Sequence, residues 1–153
     1  MAGRERSGQN RVIQIGLEIH IDAPRSRVWE ILVNHERMPE WFPAREVIRR
    51  RPGEPDPDGI GAHRVVRISG LAIEEVVTAF KPCEHLEYAV TEGAPFLDHT
   101  SDVILANEGD GTRVRWCARL RPLIPGTGWL VKSNLTRTLE QALSGLKRKA
   151  ETH

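Results

Sequence analysis

The chain has 153 residues, 39% of them hydrophobic, enough for one domain with a buried core. Its 22 basic and 21 acidic residues leave a net charge of +1, without the clustered basic excess of a dedicated nucleic-acid surface. No apolar run approaches the ~20 residues that cross a bilayer. The polar start, Met1 to Asn10, lacks the apolar core of a signal peptide, so a cytoplasmic protein with a flexible leader is expected.

From Arg11 the pattern is that of a half-buried strand, with Ile13, Ile15, Leu17, Ile19 and Ile21 alternating with mostly polar residues. Asp22-Ala23-Pro24 predicts a capped helix start, followed by Val28, Trp29, Ile31 and Leu32 on a short helix. A second short helix is expected over His35 to Phe42, carrying Met38, Trp41 and Phe42 and stopped by Pro43. Ala44 to Arg51 reads as a strand, and Pro52 to Gly59 as a loop. A meander follows, with strands over Ile60–Ile68, Leu71–Phe80, His85–Thr91, Phe96–Ala106 and Thr112–Leu120. Glu108-Gly109-Asp110-Gly111 marks its clearest hairpin.

Pro125 and Gly126 end the strands and open the stretch that must cover them. Val131, Leu135, Leu139, Ala142 and Leu146 form one apolar stripe on a helical wheel, with Ser133, Arg137, Glu140, Ser144, Lys147 and Arg148 opposite. Thr127 is the expected N-cap, and Lys147, Arg148 and Lys149 suit the negative end of the helix dipole. Gly145 lies inside this helix, where glycine costs ~1 kcal/mol relative to alanine. Its smallness predicts a close approach of the sheet, leaving Leu135 and Leu139 to face any cavity.

Strand alternation then selects inward faces. Val114, Trp116, Ala118 and Leu120 share one face of the last strand, and Leu97, His99, Ser101, Val103 and Leu105 share one face of the strand before it. Leu86, Tyr88 and Val90 point the same way. Two strands leave alternatives open: Arg64, Val66 and Ile68 against His63, Val65 and Arg67, and Ile73, Glu75 and Val77 against Glu74, Val76 and Phe80. The first set is preferred in each. The inner face then carries Arg64, Glu75, Tyr88, His99 and Trp116 among aliphatics, and a few convergent polar groups in an apolar concavity form a ligand pocket. The same residues also suit a filled core in which Arg64 and Glu75 simply pair.

The order of one strand, two short helices, six strands and a long helix resembles the helix-grip fold, an α+β arrangement in which a seven-stranded antiparallel sheet curves around the C-terminal helix. Ile19-His20-Ile21-Asp22-Ala23-Pro24 running into Val28-Trp29, then Trp41-Phe42-Pro43, resembles the SRPBCC (START-like) superfamily. Gly59-Ile60-Gly61-Ala62, Lys81-Pro82 before Leu86-Glu87-Tyr88, and Asp110-Gly111-Thr112-Arg113-Val114-Arg115-Trp116 look like its polyketide cyclase/dehydrase and lipid-transport branch. The resemblance covers about Arg11 to Ala150, taken as a single ligand-binding domain, and implies a cavity for a lipid, quinone or polyketide-like ligand.

The chemistry divides three ways. Binding as a carrier or sensor engages Arg64, Glu75, Tyr88, His99, Trp116, Trp41, Leu135 and Leu139. A cyclase or dehydratase needs acid–base groups, for which His99 and Glu75 are the catalytic candidates, with Arg64 or Tyr88 polarising a carbonyl. Passive binding is favoured, because fold alone does not supply chemistry. A protein-interaction module would instead use Trp129 and Leu130, which project off the helix stripe. His20, His35, His63, His85 and His99 are scattered without metal-ligand spacing, and Cys83 and Cys117 form no CxxC pair. No metal or other cofactor is therefore expected. The expected partner is a small hydrophobic ligand bound by a monomer or homodimer.

Overall fold

A computed structural model describes residues 11–152, so the leader expected over residues 1–10 lies outside the described residues. Strand β1 (Ile13–Ile21) leads into helix α1 (Arg25–Val33) and a 3₁₀ helix (His35–Glu40). Strands β2 (Glu46–Arg51), β3 (His63–Ile68), β4 (Leu71–Lys81), β5 (His85–Glu92), β6 (Phe96–Glu108) and β7 (Gly111–Pro122) follow, and helix α2 (Gly128–Glu151) completes the chain. The strands form one seven-stranded sheet in the order β1-β7-β6-β5-β4-β3-β2, every neighbouring pair antiparallel. The expected α+β helix-grip architecture is thus the observed one. No described helix is long and apolar enough to cross a membrane.

The meander strands are joined mostly by tight turns, so each is locked in register to the next. At the β3–β4 turn Ser69 and Gly70 both have positive φ, 50° and 79°, between Ile68 and Leu71, which pair directly. That is the hairpin geometry whose twist matches the strands. The connection from β1 to β2 is different: it crosses to the far edge of the sheet, and α1 and the 3₁₀ helix span it.

Several local expectations are corrected. The segment after Asn34 is a 3₁₀ helix with Pro39 inside it, because proline withholds an amide from the α-helical ladder. Asp22 does not cap α1; its carboxylate meets His20 Nε2 at 2.8 Å, and Pro24 occupies the cap position. Thr127 stands at the N-cap of α2, but its hydroxyl donates to the Ile124 carbonyl at 2.6 Å and closes the preceding turn instead. At the other end of α2, Arg27 of α1 donates to the carbonyls of Ala150 (2.6 Å), Lys149 (3.3 Å) and Thr152 (2.5 Å). A guanidinium there satisfies orphan carbonyls and opposes the negative dipole end.

Irregularities in β4 and β6 change which residues face inward. In β4 the register shifts between Val77 and Ala79, so Ile73, Glu75 and Val77 face in and Phe80 then does too, its ring 5.2 Å from that of Trp29. One extra residue resets the alternation, so neither alternative pattern accounts for the whole strand. In β6 the shift falls between Leu97 and Thr100, with Asp98 at φ 52°, and Leu97, expected inside, is exposed while Phe96 turns inward.

Helix α2 divides as predicted in outline and differently in detail. Its second half, with Ala142, Leu143, Leu146 and Ala150 buried, packs mainly on β1, β7 and α1. The nearest neighbour of Gly145 is not a strand: a Cβ placed there would overlap the carbonyl group of Trp41, just after the 3₁₀ helix. The close approach is therefore to the short-helix segment rather than to the sheet.

Candidate functional site

The first half of α2 stands off the sheet and leaves a cavity of about 330 Å³ over strands β3 to β6. Val66, Ile68, Ile73 and Val90 form its sheet wall, and Val131, Leu135 and Leu139 its helix wall. Ile124 and Leu130 also contribute, and both remain largely exposed, as does Trp129, which has 74% of its surface open. Two larger open grooves lie elsewhere, one of about 550 Å³ between α2 and the Pro39–Pro43 segment and one of about 460 Å³ between α1, the 3₁₀ helix and the end of α2. Charged residues such as Arg137, Glu140, Arg148, Arg27 and Lys149 line them, so they offer little apolar enclosure.

Polar side chains gather on the sheet wall because the register places them side by side. Arg64 of β3 is directly opposite Glu75 of β4, and Arg64 Nε donates to Glu75 Oε1 at 2.7 Å with both side chains nearly buried. Tyr88 of β5 is directly opposite Ser101 of β6. The Arg64 guanidinium lies over the Tyr88 ring, 5.0 Å from its centroid. Such a contact is strongest when desolvated, as here. Burial, reinforced by the Glu75 charge, pushes the Tyr88 phenol above its ordinary range, so it stays protonated.

His99 is held by two contacts that settle its chemistry. The backbone N–H of Val90 donates to His99 Nδ1 at 3.1 Å, so Nδ1 carries the lone pair. In the neutral ring Nε2 then carries the hydrogen and donates to Ser101 Oγ at 2.7 Å. Burial pushes the His99 pKa down to about 4, so the ring is neutral at pH 7. Its basic nitrogen is already used by the backbone and its N–H by Ser101.

Of the residues proposed from the sequence, Glu75, Tyr88, His99, Leu135 and Leu139 come together on the cavity wall. Arg64, Trp41 and Trp116 do not. Arg64 lies behind Glu75 and acts on the cavity through it. Trp41 and Trp116 are core residues, their rings 6.3 Å apart, because Trp116 faces the 3₁₀-helix segment rather than the open part of the sheet. Ser101, Asn134, Thr138 and Phe42 line the wall but were not singled out as site residues. Ser101 was readable from strand alternation, and Asn134 and Thr138 from lying three residues beyond Val131 and Leu135 on the same helix.

A second buried histidine stands outside the wall. Neither ring nitrogen of His35 has a hydrogen-bond partner among the described residues, and the Asp58 carboxylate is 3.4 Å from Nδ1. Burial, aided by the charges of Arg64 and Arg49, holds its pKa down to about 2. Among the described residues the cavity wall brings no three metal-ligating side chains within reach of one ion.

Comparison with solved structures shows the same fold. A START superfamily protein from Mycobacterium smegmatis superimposes with a TM-score of 0.76 at 16% identity, over 90% of this chain and 97% of that one. The XoxI protein from Bacillus cereus gives 0.74 at 15% identity, over 92% and 99%. An Aha1 dimer from Colwellia psychrerythraea gives 0.71 at 17% identity, over 91% and 96%. No curated protein matches the chain. The model of the family described as polyketide cyclase / dehydrase and lipid transport matches residues 13–151, from the first strand to the end of α2. With the helix-grip sheet and the cavity beneath α2, that match places the chain in the polyketide cyclase / dehydrase and lipid transport family.

Proposed function

We propose that the protein is a carrier or sensor that holds one small, mostly apolar ligand between β3–β6 and the first half of α2. The observation that carries this reading is the wall itself. Aliphatic side chains surround a single polar cluster of Glu75, Tyr88, His99 and Ser101. Burying apolar ligand surface contributes about 25 cal/mol per Å², while one or two hydrogen bonds at the polar cluster orient it. Glu75 lines the wall and keeps Oε2 beyond the Arg64 contact, so the cluster favours a ligand hydroxyl or amide N–H over a carboxylate. A lipid-like alcohol, a hydroquinone or a phenolic polyketide has this chemistry.

The arrangement supports binding over acid–base catalysis by His99 because its lone pair accepts from the Val90 amide and burial makes the ring a weak base. The test is direct. Protein purified from its native host, denatured and extracted, should release a compound of this class in about one equivalent by mass spectrometry. The same compound should rebind to emptied protein. A chain that is repeatedly empty, and binds no member of a panel of alcohols, hydroquinones and phenols, would overturn the reading.

A further inference from the structure

The face of the sheet remote from the cavity carries its own cluster. Alternation along β5 sends Leu86 and Tyr88 into the core and His85 and Glu87 out. Register then places Glu87 directly opposite Asp102 of β6. Two carboxylates directly opposite each other repel and destabilise a strand pair unless a cation lies between them. His85 stands beside them, its Nε2 2.5 Å from Asp102 Oδ1, and the Thr78 hydroxyl donates to Glu87 Oε1 at 2.6 Å. The nearest arginines on β7 pair with Ile104 and Thr100, two residues either side of Asp102, and Arg115 turns away to Glu18 at 3.8 Å.

We propose that His85, Glu87 and Asp102 form a binding site for a first-row divalent cation, with zinc the best match. One imidazole nitrogen and two carboxylate oxygens lie within 4.8 Å of one another, all half-buried on two central strands. Donors on a tetrahedral zinc, at ~2.0–2.2 Å, are about 3.4 Å apart, so rotation of the side chains closes the site without moving backbone. Imidazole with carboxylate selects zinc and its neighbours over magnesium or calcium, which prefer all-oxygen sets. Cys117 of β7 is directly opposite Asp102, next along the same row, and Gly16 beyond it adds no side chain over this row. With three protein donors, water fills the remaining tetrahedral position. The site does not depend on the proposed ligand cavity, since the two lie on opposite faces of the sheet.

Untagged, chelator-treated protein titrated with zinc chloride should take up one ion per chain in calorimetry, and cobalt(II) should give visible d–d absorption. His85→Ala and Asp102→Asn should each weaken uptake at least tenfold, while Glu140→Gln on the exposed face of α2 leaves it unchanged. Magnesium chloride should not compete. The proposal is overturned if the unaltered chain shows no saturable uptake, if His85→Ala binds zinc as well as the unaltered chain, or if Glu140→Gln abolishes binding.

Discussion

The backbone amide of Val90 donates to Nδ1 of His99, across the β5–β6 boundary at the polar end of the cavity. That one contact occupies the lone pair of the ring and leaves Nε2–H to donate to Ser101. His99→Ala should leave the Val90 amide and Ser101 short of a partner, costing about 1–3 kcal/mol. Ligand affinity should fall with stability, measured by urea unfolding and by a ligand titration. A turnover that vanishes while affinity is retained would instead show His99 to be a base.

Burial of His99 and His35 gives stability a pH dependence with a definite sign. Both folded pKa values, about 4 and about 2, lie below the ordinary histidine value, so the unfolded chain binds more protons. Stability is therefore fully present above about pH 6.5. As pH falls below that value, it declines by about 1.4 kcal/mol per pH unit for each histidine. His99 contributes down to about pH 4 and His35 down to about pH 2. Urea midpoints between pH 7 and 5 should fall, and His99→Gln should remove about half of this histidine-dependent slope. A slope unchanged in that variant would place the protonation elsewhere.

The Arg64–Glu75 pair should behave as a buried ion pair. Glu75→Ala leaves the guanidinium uncompensated and should cost about 3–5 kcal/mol. Replacing both partners, with Arg64→Met and Glu75→Leu, should recover most of that loss. Thermal unfolding of the two variants decides it: a double variant as unstable as the single one would mean the pair is not the source of the cost.

Leu135 lines the cavity and is only half buried, so the space beside it can accept a larger ring. Leu135→Trp should fill part of the cavity, reduce ligand uptake at least tenfold, and leave stability within about 1 kcal/mol, since no packed side chain must be displaced. Ligand titration with circular dichroism as the folding control measures both.

Gly145→Ala should run against helix propensity. In an exposed helix the change stabilises by up to ~1 kcal/mol. Here the added carbon would overlap the Trp41 carbonyl, and the loss should be about 1–3 kcal/mol. Ser144→Ala, on the exposed face, is the control and should be close to neutral.

The seven strands, the long helix and most inward faces follow from short-range patterns, because period-two and period-3.6 alternation reports directly which side of an element meets the core. His99 inside β6 is visible on that basis alone, whereas alternation in β4 leaves Glu75 as the preferred of two faces. What alternation along single strands does not encode is the offset between strands. The bulges at Val77–Ala79 and Leu97–Thr100 turn Phe80 and Phe96 inward, and these depend on the pairing partner rather than on the strand's own residues. Register likewise decides that Arg64 meets Glu75, that Tyr88 stands beside Ser101, and that His85 reaches Asp102 from seventeen residues away. The cavity too belongs to the tertiary structure. The same apolar stripe on α2 touches the short-helix segment at Gly145 and stands clear of the sheet at Leu135, because the carbonyl of Trp41 fits only where a side chain is missing.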